Sequence, residues 1–438
     1  MKSASSLRII SVLVLGLGAG GAYGAGFQLL EQNASGIGNA YAGSAAIAEN
    51  ASTIFFNPAG MTRLPGVNVS AGATAVRPSF KFSNTGSTGP GGLPLGSNNG
   101  GDAGSWGLVP NAYLSWQLSP DWYAGVGIGA PFGLMTEYDG DWIGRYHSKK
   151  FSIESININP SLAYKVNERL SVGAGLNWMR LDADYRRNSP AAGLITFLPG
   201  GIANPAAPIV AGSPDLEAKV KMDGDAWGWN LGVLFEATPS TRIGFSYRSK
   251  MKINASGHTT IRNASPVPIP TRFNASTSVE LPDTAVLSVA HDLNSRWQLL
   301  ADVSWTGWSS IKSLEIDNGD PRFSDDLDLR FRDTWRLALG ANYKATPRWT
   351  LKGGLAWDQS PVDSARYRPT SLPDSNRYWV SVGAQYNINE RTTLDVGYAH
   401  LFVKSTRIDN DTDPSKGVVR GDYKSNANLI GVQVSHRF

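Results

Sequence analysis

The C-terminal segment of the chain alternates strictly between apolar and polar side chains. One parity runs Ile430, Val432, Val434 and ends on the terminal aromatic residue Phe438, while the other carries polar or small residues such as Gln433. Successive residues of a β-strand point to opposite faces, so this segment predicts a strand with one apolar and one polar face. An amphipathic strand that closes a chain on an aromatic residue is typical of transmembrane β-barrels, whose apolar face contacts lipid and whose polar face lines a lumen.

The same two-residue period recurs along the chain. It is clearest in four further segments, at residues 156–164, 297–305, 335–343 and 349–357. Each of them approaches the roughly ten residues that a tilted strand needs to cross a bilayer. The sequence therefore predicts an all-β protein that crosses a membrane as a closed barrel.

The two faces of these segments favour a membrane barrel over a soluble β-sandwich. Aromatic residues stand at both ends of the apolar face, as with Trp297 and Trp305, which is the arrangement of an interfacial aromatic girdle. The opposite face carries charged residues such as Asp302, Arg336 and Lys352. The dry core of a sandwich would exclude these charges.

Two kinds of connection alternate between the predicted strands. Short polar breaks occur at residues 119–122, 167–170, 239–242, 294–297, 347–349 and 389–391. Long connections rich in Gly, Pro and Asn occur at about 80–105, 134–150, 188–218, 257–272, 314–327, 359–376 and 405–421. Short turns on the periplasmic side and long loops outside the cell are the asymmetry of an outer-membrane barrel, and their number predicts about 14 antiparallel strands.

The N-terminus is typical of a secretory signal peptide. Lys2 and Arg8 supply the charged start, residues 9–17 supply the apolar stretch, and small residues precede the expected cleavage after Gly24. We therefore interpret residues 1–24 as a signal peptide.

Residues 25–64 do not follow the alternation. They are too apolar for a disordered tail, and a barrel of about 14 strands encloses a lumen that would leak if nothing filled it. We predict that residues 25–64 form an N-terminal hatch that plugs the lumen, and that residues 65–438 form the transmembrane β-barrel.

The composition excludes several classes of function. The chain has no cysteine, which rules out disulfides and thiolate metal sites. Its net charge is +4, of which Lys2 and Arg8 supply two, and this is too little to indicate a nucleic-acid partner. We predict no metal and no cofactor.

Catalytic residues are also not evident. Three histidines, His291, His400 and His436, fall on the outward apolar parity, and His147 and His258 are predicted in loops. No G-x-S-x-G motif is present. The chain is therefore predicted not to be an enzyme, and an outer-membrane lipase and a general porin are kept as alternatives.

Several motifs are more specific than a generic barrel. In the predicted hatch they are Gly26-Phe27-Gln28-Leu29, Ser35-Gly36-x-Gly38-x-Ala40-Tyr41 and Asn57-Pro58-Ala59-Gly60-Met61. In the barrel they are Ala130-Pro131-Phe132-Gly133 and Asn157-x-Asn159-Pro160-Ser161. With these motifs the whole mature chain resembles the FadL/TodX family of outer-membrane transporters.

The resemblance implies a 14-stranded barrel plugged by a hatch in the outer membrane of a Gram-negative bacterium. It implies uptake of hydrophobic molecules, most of all long-chain fatty acids, with aromatic hydrocarbons as the alternative substrate. In that family the ligand is captured on apolar extracellular loops, passes to a lumenal pocket and leaves sideways at a kink in the third strand. The expected partners are a hydrophobic ligand, outer-membrane lipid and lipopolysaccharide, and the barrel-assembly machinery that reads the strand ending at Phe438.

The resemblance also assigns roles to particular residues. The lateral exit is expected at Ala130, Pro131, Phe132 and Gly133. Pro131 removes a ladder donor and Gly133 has no side chain to pack, so both interrupt strand pairing. The alternative is that Pro131 only ends the strand at a loop.

An unusually apolar extracellular loop is the predicted capture groove. Its candidate residues are Leu194, Ile195, Phe197, Leu198, Ile202, Ile209 and Val210. Exposed apolar patches usually have binding partners, and the alternative is that these side chains pack on the barrel rim.

The remaining candidates lie in the hatch and lumen. We expect the hatch motif Asn57, Pro58 and Ala59 to have a structural role, because Pro58 holds Asn57 extended and frees its side chain to bind nearby backbone. The resemblance assigns Ala25, Gly26 and Phe27 to the lumenal ligand pocket. Inward parity adds Arg248, Arg336 and Lys352 as candidate anchors for a ligand carboxylate.

Overall fold

The computed structural model describes residues 25–190, 215–262, 271–318 and 325–438. The predicted signal peptide at 1–24 and the predicted capture groove at 194–210 lie outside the described residues, so both stay predictions.

Strands account for most of the described chain. They are β1 (Val67–Asn84), β2 (Gly107–Gln117), β3 (Trp122–Gly129), β4 (Gly133–Glu137), β5 (Lys150–Lys165), β6 (Leu170–Ser189), β7 (Leu216–Thr238), β8 (Thr241–Arg248), β9 (Met251–Arg262), β10 (Arg272–Leu281), β11 (Thr284–Asp292), β12 (Trp297–Thr306), β13 (Ser313–Ile316), β14 (Asp325–Asp328), β15 (Thr334–Lys344), β16 (Trp349–Asp358), β17 (Arg377–Asn387), β18 (Thr392–Val403), β19 (Thr406–Asn410) and β20 (Val419–Arg437).

All of these segments except β13 and β14 form one antiparallel sheet that closes on itself. The last strand pairs with the first, from Asn68 with Arg437 to Asn84 with Gly421. Four barrel strands are each built from two segments, namely β3 with β4, β8 with β9, β10 with β11, and β18 with β19. The described residues therefore form a barrel of fourteen strands, which confirms the number predicted from the turns and loops.

Side chains alternate across the barrel wall as the sequence predicts. On β15 the lipid-facing Leu337 and Leu339 are exposed, whereas Arg336 points into the lumen and is buried. Aromatic rings pair on the outer surface near the periplasmic turns, where the ring centroids of Trp297 and Tyr343 lie 4.6 Å apart. These rings form the girdle that places the wall in a bilayer.

Residues 25–64, called the N-terminal segment below, lie against the inner face of the barrel. They contain a short helix, α1 (Thr53–Phe56), and 3₁₀ turns at Ile37–Asn39 and Pro58–Arg63. The first turn contacts β15 to β18, and the second contacts β5 to β7. The polar inner wall binds this segment directly, since the Gly43 amide donates to the Asp302 carboxylate at 2.7 Å. No helix in the described part of the chain is long and apolar enough to cross a membrane.

Most extracellular connections are shorter than predicted, but the connection at 359–376 agrees with the prediction and the one between β12 and β15 is longer. β1 continues to Asn84 and β9 to Arg262, so the prediction that His258 lies in a loop is wrong. The segments β13 and β14 form a hairpin within a predicted loop. Beyond the bilayer both faces of a strand meet polar surroundings, so the alternation fades before the strand ends.

Glycines on the inner wall make room for the N-terminal segment. A Cβ added to Gly354 would collide with the backbone of Asn39, whereas the space around a Cβ on the preceding residue, Gly353, is open. The two positions are adjacent but face opposite sides of the wall. Substitutions at these two positions therefore distinguish a clash with the N-terminal segment from a general perturbation of strand β16.

We predict that Gly354→Val displaces the N-terminal segment. Overpacking of this kind costs about 1–3 kcal/mol. The variant should show faster proteolysis within residues 25–64 and higher conductance in planar bilayers. Gly353→Val is the matched control and should behave as the wild type. Equal conductance and proteolysis in both variants would contradict the close fit of segment and wall.

Candidate functional site: two lumenal cavities and a break in the wall

The third barrel strand is interrupted. β3 ends at Gly129 and β4 begins at Gly133, and we call residues 130–132 the wall break. β3 pairs with both β2 and β5, whereas β4 pairs, among the described residues, with β5 alone. The strand continues beyond Pro131, so the alternative that this proline only ends the strand at a loop is wrong.

The N-terminal segment takes the place of the missing neighbour at the wall break. The Leu29 amide donates to the Pro131 carbonyl at 2.8 Å, and the Gly133 amide donates to the Phe27 carbonyl at 2.9 Å. The side-chain amide of Gln32 adds a bond to the Ala130 carbonyl at 2.8 Å. Backbone groups that the interrupted ladder leaves open are thus paired with the N-terminal segment, as burial requires.

An apolar cavity of about 80 Å³ lies among the extracellular halves of the strands. Its wall includes Phe151, Leu181, Ile253 and Leu281, and none of the described residues that line it is charged. Phe27 also lines this cavity and packs against Phe132 and Trp308, with ring centroids 5.8 Å and 4.9 Å away. This apolar cavity can hold an uncharged hydrocarbon group.

A second cavity, of about 70 Å³, lies between the N-terminal segment and the barrel wall; we call it the mixed cavity. Most of its apolar lining comes from the N-terminal segment, namely Ala25, Leu29, Leu30, Phe55 and Phe56. Its charged lining comes from the wall, namely Arg248, Asp302, Arg336 and Asp358. Apolar surface beside fixed charge suits an amphipathic ligand.

The cations of the lumen differ in their partners. Arg248 donates to the Phe55 carbonyl at 3.0 Å and to Asn177, and its guanidinium lies 4.3 Å from the Phe55 ring centroid. It has no carboxylate partner among the described residues. Lys352 is instead paired with Glu49 at 2.8 Å and Asp395 at 3.1 Å.

The structure brings some of the predicted pocket residues together and separates others. Ala25, Arg248 and Arg336 line the mixed cavity. Phe27 lines the apolar cavity, and the Gly26 amide donates to Asp374 at 3.0 Å. Lys352 lines neither cavity.

Sequence reasoning did not identify the acidic side of the mixed cavity as part of the site. Asp302 and Asp358 lie on the inward parity of β12 and β16, and both are buried. The sequence shows Asp302 only as one of several lumenal charges, whereas in the structure it binds the N-terminal segment through Gly43 and Ser44. The alternation predicts that both side chains point into the lumen. Only the folded structure shows that they line the mixed cavity beside the N-terminal segment.

Asn57 fixes the N-terminal segment to the wall. Its side-chain amide donates to the carbonyls of Ala45 at 2.7 Å and Val233 at 2.9 Å, and its oxygen accepts from the Ala59 amide at 3.1 Å. Pro58 follows it and restricts Asn57 to an extended backbone with φ −159°. The motif thus connects two parts of the segment and strand β7.

A buried ionic cluster joins the extracellular strand ends. Asp325 of β14 accepts from Arg187 at 2.8 Å and from Lys416. Burial opposes its ionisation, but these two cations hold the pKa of Asp325 at about 2. Burial, assisted by Lys416, lowers the pKa of the neighbouring His147 to about 4, so this histidine is neutral at ordinary pH. In the described parts of the chain no group of three or more His, Asp or Glu residues is placed to hold a metal ion.

Comparison with known proteins identifies the family. Residues 15–438 match the family model described as outer membrane protein transport protein (OMPP1/FadL/TodX). The long-chain fatty acid transport protein of Escherichia coli K12 is 30% identical over 439 residues, covering 95% of each chain. Outer membrane protein P1 of Haemophilus influenzae is 31% identical over 451 residues, covering 96% of this chain and 97% of that one.

The solved structures agree. A FadL homologue of Pseudomonas aeruginosa superposes with a TM-score of 0.84 at 27% identity, covering 94% of this chain and 100% of that one. The toluene transporter TodX of Pseudomonas putida has a TM-score of 0.70 at 18% identity, covering 95% of this chain and 100% of that one, a likeness of fold alone. This chain belongs to the OMPP1/FadL/TodX family. The family resemblance drawn from the motifs is confirmed, and the protein is an outer-membrane transport protein and not an enzyme.

For this family member we predict that Asn57→Ala loosens the N-terminal segment. The change removes three hydrogen bonds and leaves buried carbonyls unpaired, at about 1–3 kcal/mol for each unsatisfied group. Proteolysis within residues 25–64 should accelerate and the thermal unfolding temperature should fall. Asn387→Ala, which removes one exposed bond to the Pro347 carbonyl, is the control. If the two variants were equally stable, Asn57 would not anchor the segment.

Proposed function

We propose that this protein takes up hydrophobic molecules across the outer membrane, most of all long-chain fatty acids. Relatives that are named long-chain fatty acid transport proteins, at 30% identity over nearly the whole chain, support this substrate. The observation that carries the proposal is Arg248. It is a cation in the mixed cavity without a carboxylate partner among the described residues, beside Leu29, Leu30 and Phe55, so it can bind a ligand carboxylate while the chain contacts apolar side chains.

Uptake of aromatic hydrocarbons is the second candidate. The apolar cavity favours it, because the described residues around that cavity offer no charge and a hydrocarbon needs none. The toluene transporter with the same fold is too distant in sequence to argue for this substrate. The two candidate functions differ in whether ligand binding requires the positive charge of Arg248.

The proposed route has three stages. Ligand is captured on the apolar loop at 194–210, moves into the apolar cavity and then the mixed cavity, and leaves sideways through the wall break. The N-terminal segment acts as the plug, and its residues 27–29 close the break until ligand arrives. Aromatic contact of Phe27 with Phe132 supports a coupling of cavity and exit, since the first residue lines the apolar cavity and the second lies in the break.

We also propose contacts outside the lumen. The apolar outer wall contacts outer-membrane lipid and lipopolysaccharide, and the strand that ends at Phe438 is read by the barrel-assembly machinery. The exposed Phe438 side chain supports the second contact.

A disulfide across the wall break tests the exit. Gln28 and Phe132 form an antiparallel bridge, flanked by the Leu29–Pro131 and Gly133–Phe27 bonds. A pair of this kind has a Cα separation of about 4.5 Å, which a disulfide can span. The chain has no native cysteine that could form a competing disulfide. Gln28→Cys with Phe132→Cys should abolish oleate uptake when oxidised.

Reduction should restore that uptake, which excludes a folding defect. Each single cysteine variant is the control for loss of the native side chain. Undiminished uptake by the oxidised double variant would mean that ligand leaves by another route.

Arg248→Gln tests the substrate. Loss of a charged hydrogen bond to a ligand costs about 1.5–3 kcal/mol, so decanoate affinity should fall by roughly 10- to 100-fold. Toluene affinity should not change. Lys165→Gln, a change at a partly exposed lysine paired with Glu168, is the control. Unchanged decanoate affinity would remove Arg248 as the anchor and favour hydrocarbon uptake.

A further inference from the structure

Glu31, in the N-terminal segment, is a carboxyl group in an unusual position. Its side chain is completely buried, and neither carboxyl oxygen has a hydrogen-bond partner in another described residue. A buried carboxylate without partners is strongly disfavoured in its charged form. Acidic residues are rarely kept in such places without a reason that involves their proton or their charge.

The surroundings of Glu31 connect it to the mixed cavity. The charged groups that act on it are Arg336 on β15, Asp358 on β16 and Arg377 on β17. Arg336 and Asp358 both line the mixed cavity, and the neighbouring residue Leu30 lines it as well. Glu31 therefore interacts with two charged residues that line the mixed cavity, although it does not line the cavity itself.

The remaining titratable neighbours complete the charge inventory. From the N-terminal segment itself, Tyr41 faces Glu31. Arg377 is in turn paired with Asp374, which precedes β17. Asp302 on β12 acts on the same Arg336 guanidinium.

These charges balance only while Glu31 is neutral. The mixed cavity and its immediate surroundings contain three guanidinium groups, of Arg248, Arg336 and Arg377, and three carboxylates, of Asp302, Asp358 and Asp374. With Glu31 neutral the formal charge of this set is zero. With Glu31 ionised the set becomes negative, and a ligand carboxylate would be repelled across a region of low dielectric constant.

We propose that Glu31 determines whether the mixed cavity accepts a carboxylate, because ligand binding requires its carboxyl group to hold a proton. This inference rests on the proposed function and names Glu31 as a residue that acts through Arg336 without contacting ligand. Burial raises the pKa of Glu31 to about 8, so the group is neutral at ordinary pH and ionises just above it.

The sign of the pH effect follows from linkage. A bound anion favours the neutral form of Glu31, so carboxylate binding takes up protons where Glu31 is partly ionised. Affinity for decanoate, which is itself ionised throughout, should fall as pH rises from about 7 to about 9. One linked proton limits the fall to about tenfold per pH unit. Decanol and toluene carry no charge, and their affinities should stay constant.

The experiment is isothermal titration calorimetry of the full mature protein with decanoate at about pH 8, in two buffers of different ionisation enthalpy. We expect proton uptake from the difference in heats, and a decanoate affinity that weakens about three- to tenfold between about pH 7 and about pH 9. Glu31→Gln should abolish the proton uptake and the pH dependence while decanoate still binds. Glu49→Gln, which removes a carboxyl of the same segment that is paired with Lys352 outside both cavities, should keep both effects.

The outcomes separate the inference from the proposed function. Decanoate binding by the wild type without proton uptake overturns the role of Glu31 and leaves the transporter proposal standing. A Glu31→Gln variant that keeps the pH dependence has the same consequence. No binding of decanoate at any pH overturns both. Absence of proton uptake in the wild type needs no variant to interpret, so it overturns the role of Glu31 even if Glu31→Gln does not fold.

Discussion

The structure depends on the rule that backbone groups inside a membrane must be paired within the protein. An interrupted strand violates this rule locally, because the residues beyond the break lose one neighbour. Here the N-terminal segment supplies the missing partners through the backbone of Phe27 and Leu29 and the side chain of Gln32. The segment that lies against the inner face of the barrel is therefore also the element that completes the wall. Residues 27–29 border both cavities as well as the wall break, since Phe27 lines the apolar cavity and Leu29 lines the mixed cavity.

The polar inner wall gives the segment its position. Asp302 binds its backbone, Asn57 connects it to β7, and glycines such as Gly354 leave space for its close approach. Apolar packing adds to these hydrogen bonds, because Ile37 and Ala40 share a buried cluster with Leu300 of the wall.

The sequence predicts the barrel well, because lipid on one side and a polar lumen on the other impose a period of two on every spanning strand. It predicts the strand number from the turns for the same reason. Outside the bilayer that constraint disappears, which is why the hairpin of β13 and β14 and the strand position of His258 were missed. The alternation of the strands correctly predicts that Arg248 and Arg336 point into the lumen. It does not show that Lys352 is ion-paired and lies outside both cavities. Parity gives the face of a side chain, whereas its partners depend on how the N-terminal segment folds against the wall.

The most direct test of the account is hydrogen exchange at the amides of Leu29 and Gly133, which pair across the wall break. In the ligand-free protein both amides should be strongly protected, since they are bonded and buried. Loading with oleate should accelerate exchange at both amides together, because the proposed route requires residues 27–29 to leave the break before ligand exits. Protection that persists at both amides while oleate is being transported would contradict the claim that this segment closes the exit.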